Sequence, residues 1–164
     1  MNEHSSAAPV SRAARGGARS ARRRSRELAL QGLYQWLVGG NDAAAIEAQP
    51  LDEGQALAAV DIGHYREVLN GAIDNAANLR ARFTPHLDRT IEVLSPVEHS
   101  ILLIATYELQ HRAEIPYRVV INEAVELAKN FGGTDGFRYV NGVLDKVAAE
   151  LRPAEVSGRS RVPG

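Results

Sequence analysis

The sequence predicts an all-α protein, because its apolar residues recur every three to four positions and no stretch alternates convincingly between apolar and polar residues. The clearest segment is 118–151, where two amphipathic patterns flank a Gly-Gly pair. Such spacing gives each helix one buried face and one exposed face. We therefore expect a compact protein of about six or seven helices with short connections.

Within 118–151, the Gly-Gly pair separates two helices. Gly132 and Gly133 stand where a helix would end through a left-handed residue, and Thr134 or Asp135 could cap the next helix. Asn141 followed by a glycine favours a β-hairpin, but the flanking apolar residues keep helical spacing. We therefore interpret Gly142 as a helical residue that a neighbouring helix approaches closely.

Composition limits the class of protein. The chain has 164 residues, 45% of them hydrophobic, which suits one globular domain. It contains no cysteine, which excludes disulfides, thiolate catalysis and cysteine-based zinc sites. No apolar run approaches the roughly 20 residues of a membrane span, and residues 1–20 lack the core of a secretory signal. We expect a cytoplasmic protein without a membrane partner.

Positive charge is concentrated at the N-terminus. Residues 1–26 contain seven arginines and one glutamate, a net charge of +6, which leaves −7 for the remainder of a chain whose net charge is −1. A basic arm on an acidic body indicates an anionic partner. Of the 19 basic residues, 17 are arginine, whose planar fork pairs with phosphates and stacks on bases. A G+C-rich genome would also favour arginine, but it does not explain the clustering.

The N-terminal region divides into an arm and a helix. Residues 1–19 have almost nothing to bury, so we expect a disordered basic arm; a transit peptide is the alternative. A helix is expected over about 20–38 and ends at Gly39-Gly40-Asn41. Its first turns carry three arginines whose charge opposes the helix dipole. An anionic ligand is thus a better explanation for them than a structural purpose.

The remaining helices and loops are predicted from the spacing of apolar residues and from residues that start or end helices. Ser95-Pro96-Val97-Glu98 has the pattern of a capping box with proline in the first helical position. The helix that it opens is apolar nearly all round, so it should be the central buried helix. The predicted segments are a loop over 39–59 with a short helix near 51–59, the longest helix over 61–83, a short helix near 87–94, the central helix over 96–111 and a flexible tail over 153–164.

Several long stretches resemble the NusB family of transcription antitermination factors. They are RELALQGLYQW at 26–36 behind the arginine run, VEHSILLIATYEL at 97–109, IPYRVVINEA at 115–124 and INEAVELAKNFGGTDGFRYVNGVLDK at 121–146. The resemblance covers about residues 20–152. It implies two packed three-helix bundles, which the predicted helices can accommodate.

The resemblance also implies a function. The chain would bind single-stranded boxA-type RNA of ribosomal RNA operon leaders together with the tenth protein of the small ribosomal subunit. Other antitermination factors and RNA polymerase would be engaged indirectly. The resemblance is compatible with either a monomer or a homodimer. An alternative is an accessory RNA-binding domain like that of ribosomal RNA cytosine methyltransferases, although such an enzyme would need a catalytic cysteine.

The same resemblance assigns residues to these partners. The implied RNA contacts are Arg22, Arg23, Arg24, Tyr34, Arg138 and Tyr139, and the implied protein-partner contacts are Glu98 and Asp135. For Tyr34, a half-buried ring with an exposed hydroxyl is the alternative, and for Asp135 a simple helix cap. The extended N-terminus departs from the family pattern, so no role is assigned to its additional arginines, Arg12, Arg15 and Arg19.

No pattern indicates catalysis, a cofactor or a metal. The HExxH, GxSxG, P-loop and GxGxxG motifs are all absent. The histidines form no ligand-spaced pair; they are His4, His64, His86, His99 and His111. We therefore expect a binding protein and not an enzyme.

Overall fold

The computed structural model describes residues 12–51 and 59–158, and all regular structure in these ranges is helical. The α-helices are α1 (Arg12–Tyr34), α2 (Ala43–Glu47), α3 (Ile62–Asp74), α4 (Ala76–Phe83), α5 (Pro96–His111), α6 (Tyr117–Phe131), α7 (Gly136–Leu151) and α8 (Pro153–Ser157). A π-helical turn, Gln35–Gly39, extends α1, and two 3₁₀ turns, Thr84–His86 and Ile91–Val93, precede α5. The all-α prediction is confirmed.

Helix α5 is the centre of the fold, as the sequence predicted. It is buried continuously over 100–109. Helices α1, α3 and α4 pack on it from the N-terminal part of the chain, and α6 and α7 pack on it from the C-terminal part. The Ser95 hydroxyl accepts a hydrogen bond from the Glu98 amide at 3.1 Å, and Pro96 occupies the first helical position. The predicted bounds of this helix are confirmed.

Two helix predictions were wrong about where helices begin and break. Helix α1 starts at Arg12, so residues 12–19 are helical and not a disordered arm. The single helix expected over 61–83 is divided at Asn75, whose side-chain amide donates to the Gly71 carbonyl at 2.8 Å. The Asn75 backbone amide donates to the same carbonyl at 3.0 Å, so the Gly71 carbonyl accepts two bonds where the helix is interrupted. Helix α1 is consequently the longest helix of the described residues.

The connecting segments also differ from expectation. Helix α2 lies inside the predicted loop and begins where the Asp42 carboxylate accepts from the Ala45 amide at 2.8 Å. The helix expected over 51–59 falls almost wholly outside the described residues. The helix expected near 87–94 is reduced to the 3₁₀ turns.

The predicted flexible tail is partly folded. Its first residues form α8, where the Glu155 carboxylate accepts from the Tyr117 amide at 2.8 Å. The buried Arg152 guanidinium donates to the carbonyls of Leu109 and Ile115, each at 2.8 Å. These bonds join the end of α7 to the last turn of α5 and to the connection between α5 and α6. Residues 1–11 and 159–164, predicted as parts of the arm and tail, lie outside the described residues.

Two glycine predictions are wrong in the C-terminal half of the chain. Gly132 has φ −93°, so the predicted left-handed exit from α6 is wrong. Gly142 lies on an exposed face of α7, and a Cβ added there would meet no atom of the described residues within 4 Å, so the predicted close approach is also wrong. The close approach occurs instead at Gly71 of α3, where a Cβ would overlap the Tyr107 ring of α5.

A buried polar cluster of Ser25, Arg26, His64 and Glu108 fixes α1 to the rest of the fold. Arg26 donates through Nε and Nη2 to the two carboxylate oxygens of Glu108, at 2.9 and 3.2 Å. The His64 Nε2 atom lies 2.7 Å from Glu108 Oε2, and the Ser25 Oγ atom lies 2.5 Å from His64 Nδ1. The side chains of Arg26 and Glu108 are only 5% and 1% exposed. The cluster thus joins α1, α3 and α5 inside the protein.

The charge of Glu108 is stabilised by its partners. Burial alone would raise the pKa of the Glu108 carboxyl. The hydrogen bond from His64 and the charge of Arg26 outweigh burial, and the pKa lies below its ordinary value. Removing either partner would therefore leave an expensive buried charge.

We predict that Gly71→Ala lowers the free energy of unfolding by about 1–3 kcal/mol, because the added methyl group would overpack the contact between α3 and α5. Gly142→Ala is the matched control, a helical glycine facing open space, and should raise the free energy of unfolding by up to about 1 kcal/mol. Urea denaturation measures both. A Gly71→Ala variant as stable as the wild type would contradict the close approach.

We predict that Arg26→Ala lowers the free energy of unfolding by about 3–5 kcal/mol, because it leaves Glu108 buried without its main countercharge. Arg24→Ala removes an arginine of the same helix whose one ion pair, with Glu27 at 3.7 Å, is at the surface. Its effect should stay within about 0.5 kcal/mol. Equal effects of the two substitutions would show that the cluster does not anchor α1.

Candidate nucleic-acid interface

A groove of about 720 Å³ runs between the N-terminal half of α1 and helix α6. Its cationic residues are Arg19, Arg22, Arg23, Arg26 and Lys129. The four arginines share one face of α1 because helical neighbours recur every three or four residues. The groove also contains the carboxylates of Glu114, Glu123 and Glu126 and an apolar portion that includes Ile115 and Val119. We call this feature the arginine groove.

Arg23 is held firmly in the arginine groove. Its Nε and Nη2 atoms donate to the two carboxylate oxygens of Glu123 on α6, at 3.1 and 2.8 Å. The hydrogen bond to Glu123 raises the pKa of Arg23, against the effect of burial. The Arg23 side chain is nevertheless 40% exposed. The expectation that this arginine has no structural purpose was therefore wrong, although its outer edge remains available.

Arg22 has a looser partner. Its Nε atom lies 3.6 Å from a carboxylate oxygen of Asp61, the N-cap residue of α3. The hydrogen bond from the His64 amide, more than Arg22, holds the pKa of Asp61 below its ordinary value. Arg22 is thus a half-exposed cation on the rim that can exchange this long contact for another anion.

The position of each remaining arginine around the helix axis decides whether it lines the arginine groove. Arg24, predicted to contact RNA, does not line the arginine groove and pairs with Glu27 of its own helix. Arg19, for which the sequence assigned no role, does line it. The signal was the seven-residue spacing from Arg19 to Arg26, which the assumed disorder of residues 1–19 concealed. The side chains of Arg12 and Arg15 lie outside the part of the chain that the structure describes.

Lys129, which lines the arginine groove, lies beside the start of α7. The Lys129 Nζ atom lies 5.3 Å from the centroid of the Phe137 ring, and the Arg138 guanidinium carbon lies 5.4 Å from the same centroid. The Arg138 side chain is 76% exposed. An aromatic ring close to two cations can combine base stacking with phosphate pairing. Phe137 was missed as a site residue because its position in the sequence fits the apolar stripe of α7.

The two tyrosines predicted to bind RNA lie outside the arginine groove. The half-buried Tyr139 ring is covered by Arg89, whose guanidinium carbon is 4.1 Å from the ring centroid. Burial raises the pKa of its hydroxyl. Tyr34 is exposed near the C-terminal end of α1, twelve residues after Arg22 and thus about 18 Å along the helix. Tyr34 would need a long RNA path to share a ligand with the arginines, and the Tyr139 ring is covered by Arg89.

Glu98 and Asp135, the predicted partner residues, lie next to each other. A Cβ at Gly136 would be 2.7 Å from Glu98 Oε2, so the glycine lets this carboxylate pack against the start of α7. Asp135 immediately precedes that glycine and occupies the N-cap position, but its side chain makes no capping hydrogen bond. It lies 3.7 Å from Arg138 instead. We call these two residues the acidic pair, which lies at the start of the helix that carries Phe137.

Other classes of site find no support in the described ranges. Residues 12–51 and 59–158 contain no group of three or more His, Asp or Glu side chains placed to hold a metal ion. Among the same residues, no helix has the length and apolar character required to cross a membrane.

Known proteins resemble the chain over most of its length. The transcription antitermination protein NusB of Cupriavidus pinatubonensis is 59% identical over 141 residues, which cover 86% of this chain and 84% of the relative. The protein of the same name from Bordetella pertussis is 54% identical and is aligned over 90% of this chain and 98% of its own length.

Solved structures share the fold. T. maritima NusB superposes with a TM-score of 0.71 at 30% identity and covers 83% of this chain and 96% of its own. A chain in the crystal structure of the antitermination factors NusB and NusE in complex with dsRNA has a TM-score of 0.65 at 19% identity, covering 79% and 97%. The sequence model of the NusB family matches residues 23–149. The chain belongs to the NusB family.

Proposed function

We propose that this chain is an RNA-binding transcription antitermination factor that acts in the cytoplasm. The observation that carries the proposal is the arginine groove, a cationic cleft whose Lys129, together with the neighbouring Arg138, lies beside the Phe137 ring. Cations along a cleft neutralise the phosphates of a nucleic acid, and an adjacent ring stacks on bases. The names of the relatives supply the process in which such binding would be used.

Single-stranded RNA suits this surface better than a regular duplex. Stacking on Phe137 requires a base face that is free of a pairing partner. The carboxylates inside the arginine groove also oppose indiscriminate attraction of phosphates, because only a strand that follows the cations avoids them. We propose boxA-type RNA of ribosomal RNA operon leaders as the ligand, in accordance with the family resemblance.

The acidic pair is proposed as the contact for a protein partner. A half-buried carboxylate and an exposed one beside the end of the RNA path suit a basic protein that also touches RNA. A related NusB chain is found in complex with NusE and dsRNA. We propose the corresponding partner here, the tenth protein of the small ribosomal subunit. Other antitermination factors and RNA polymerase would then be engaged through this assembly.

Joint binding follows from the adjacency of the two surfaces. A protein seated on Glu98 and Asp135 lies within reach of RNA that leaves the arginine groove near Arg138. Coupling between two such ligands is typically 1–3 kcal/mol, about 5- to 150-fold in affinity, and is equal in both directions. A modest intrinsic RNA affinity would then suffice for a tight complex.

We predict that the double substitution Arg22→Ala and Arg23→Ala weakens binding of a single-stranded boxA-type RNA. It should also reduce the slope of log K against log salt by about 1.4, because each phosphate that a cation neutralises on a single strand contributes about 0.7 to that slope. Fluorescence anisotropy at several salt concentrations measures both quantities.

Matched controls are Arg24→Ala and Arg66→Ala, which remove arginines that do not line the arginine groove. They should change the slope far less than the double substitution. The same slope for all three variants would reject the groove as the RNA site, and tighter binding of a matched duplex would reject the preference for single strands.

We predict that Glu98→Arg weakens binding of the ribosomal protein more than it weakens binding of RNA alone, because it reverses a charge of the acidic pair and leaves α1 unchanged. Asp74→Arg makes the same change of charge at the exposed end of α3 and is the control. Calorimetric titration of each binary complex gives the comparison. If the two substitutions weaken binding of the ribosomal protein equally, Glu98 does not contact this partner.

A further inference from the structure

We propose that Glu123 is a positioning residue for RNA recognition, one that holds the Arg23 guanidinium ready to receive a phosphate. The inference rests on the proposed RNA-binding function of the arginine groove and adds a residue that this function does not itself require. A carboxylate facing an RNA path would ordinarily be expected to weaken binding. Its geometry indicates the opposite role.

The ion pair uses only one edge of the Arg23 guanidinium. Glu123 accepts from Nε and Nη2, at 3.1 and 2.8 Å. A guanidinium has five N–H donors in a rigid planar fork, so the edge formed by Nη1 and the second proton of Nη2 remains unused by Glu123. That edge matches two oxygens of one phosphate. The contact with Glu123 and a contact with phosphate are thus compatible.

Glu123 is itself held in place. Its side chain is 10% exposed, and a carboxylate oxygen also lies 3.8 Å from Nη1 of Arg26. Arg26 in turn belongs to the buried polar cluster through Glu108. The alternating series Glu108, Arg26, Glu123 and Arg23 therefore runs from the core to the arginine groove. A carboxylate fixed by a buried cation on one side restricts the motion of the exposed guanidinium on the other.

Arg23 differs in this respect from its neighbours. Arg22 and Arg24 each have a single ion pair, at 3.6 and 3.7 Å. A long side chain loses rotamer freedom when it is immobilised on a ligand, and a side chain immobilised beforehand avoids that loss. Preorganisation by Glu123 should therefore increase the affinity that Arg23 contributes, even though the carboxylate carries an unfavourable charge.

The two effects of Glu123 have opposite signs, which makes them separable. If the charge dominates, Glu123→Gln should tighten RNA binding. If positioning dominates, the same substitution should weaken it. Glu126→Gln is the matched control, because Glu126 lies on the same helix and lines the same groove but pairs with Lys129, at 3.7 Å, and not with the Arg23 fork.

The experiment measures affinity of the full chain for a single-stranded boxA-type RNA at one salt concentration. We expect Glu123→Gln to weaken binding about two- to tenfold, the range for ordering one long side chain on binding. Glu126→Gln removes the same charge from the groove without touching the Arg23 fork and should tighten binding, and Asp74→Asn, at the exposed end of α3 outside the groove, should leave it unchanged. In an Arg23→Ala background Glu123→Gln should weaken binding no further. If Glu123 had only a structural role, Glu123→Gln would weaken RNA binding by the same factor in the wild-type and Arg23→Ala backgrounds. Binding of RNA by Glu123→Gln that is as tight as binding by Glu126→Gln would also overturn the proposal.

A second variant keeps the test decisive if Glu123→Gln does not fold, which circular dichroism and thermal melting would show. Arg23→Lys keeps the charge, but its ammonium lacks the two edges of the fork. It should bind RNA more weakly than the wild type, and unchanged affinity would reject the positioning role. If Arg23→Ala leaves RNA affinity unchanged, the proposed function of the groove fails. If that variant weakens binding while Glu123→Gln does not, only the role of Glu123 fails.

Discussion

The buried ion pair between Arg26 and Glu108 holds the candidate site in place. It joins α1 to the central helix α5, and His64 extends the junction to α3. Burying two charges is costly unless their hydrogen bonds are satisfied, and removing one partner of such a pair is strongly destabilising. Here Glu108 receives bonds from both cationic and imidazole partners. This junction helps to fix the angular position of α1, and with it the direction of Arg19, Arg22 and Arg23.

From that junction the charges continue outward in alternation, and the cations farther out are held by fewer or longer contacts. Arg26 is fixed in the core, Arg23 is fixed on one edge by Glu123, and Arg22 has only a long contact with Asp61. A binding surface built in this way combines cations that need no reordering with cations that can adjust to the ligand. The acidic pair at the start of α7 keeps the proposed protein-binding and RNA-binding surfaces opposite in charge.

Sequence reasoning succeeded where the determinants are local. Ser95 and Pro96 indicated the start of α5 because capping is decided within one helical turn. It failed where a partner lies far along the chain: Arg23 and Glu123 are 100 residues apart, and no periodic pattern connects them. The groove-lining face of α1 was missed for a different reason. The low apolar content of residues 12–19 suggested disorder, so the helical spacing that places Arg19 in the groove was not recognised. Gly142 and Gly71 show the same limit, because a neighbouring helix, invisible in the sequence, decides which glycine is packed.

If α1, anchored by the buried cluster, presents the arginine groove to a single strand of RNA, RNA binding should change the signals of individual arginine side chains. Nuclear magnetic resonance of their Nε–H groups can be followed during titration with a boxA-type RNA. We expect the signals of Arg22 and Arg23 to shift on binding while those of the buried Arg26 and of Arg66 on α3 stay in place. Shifts confined to Arg66 or to Arg89 beside Tyr139, with Arg22 and Arg23 unmoved, would contradict this role of the groove.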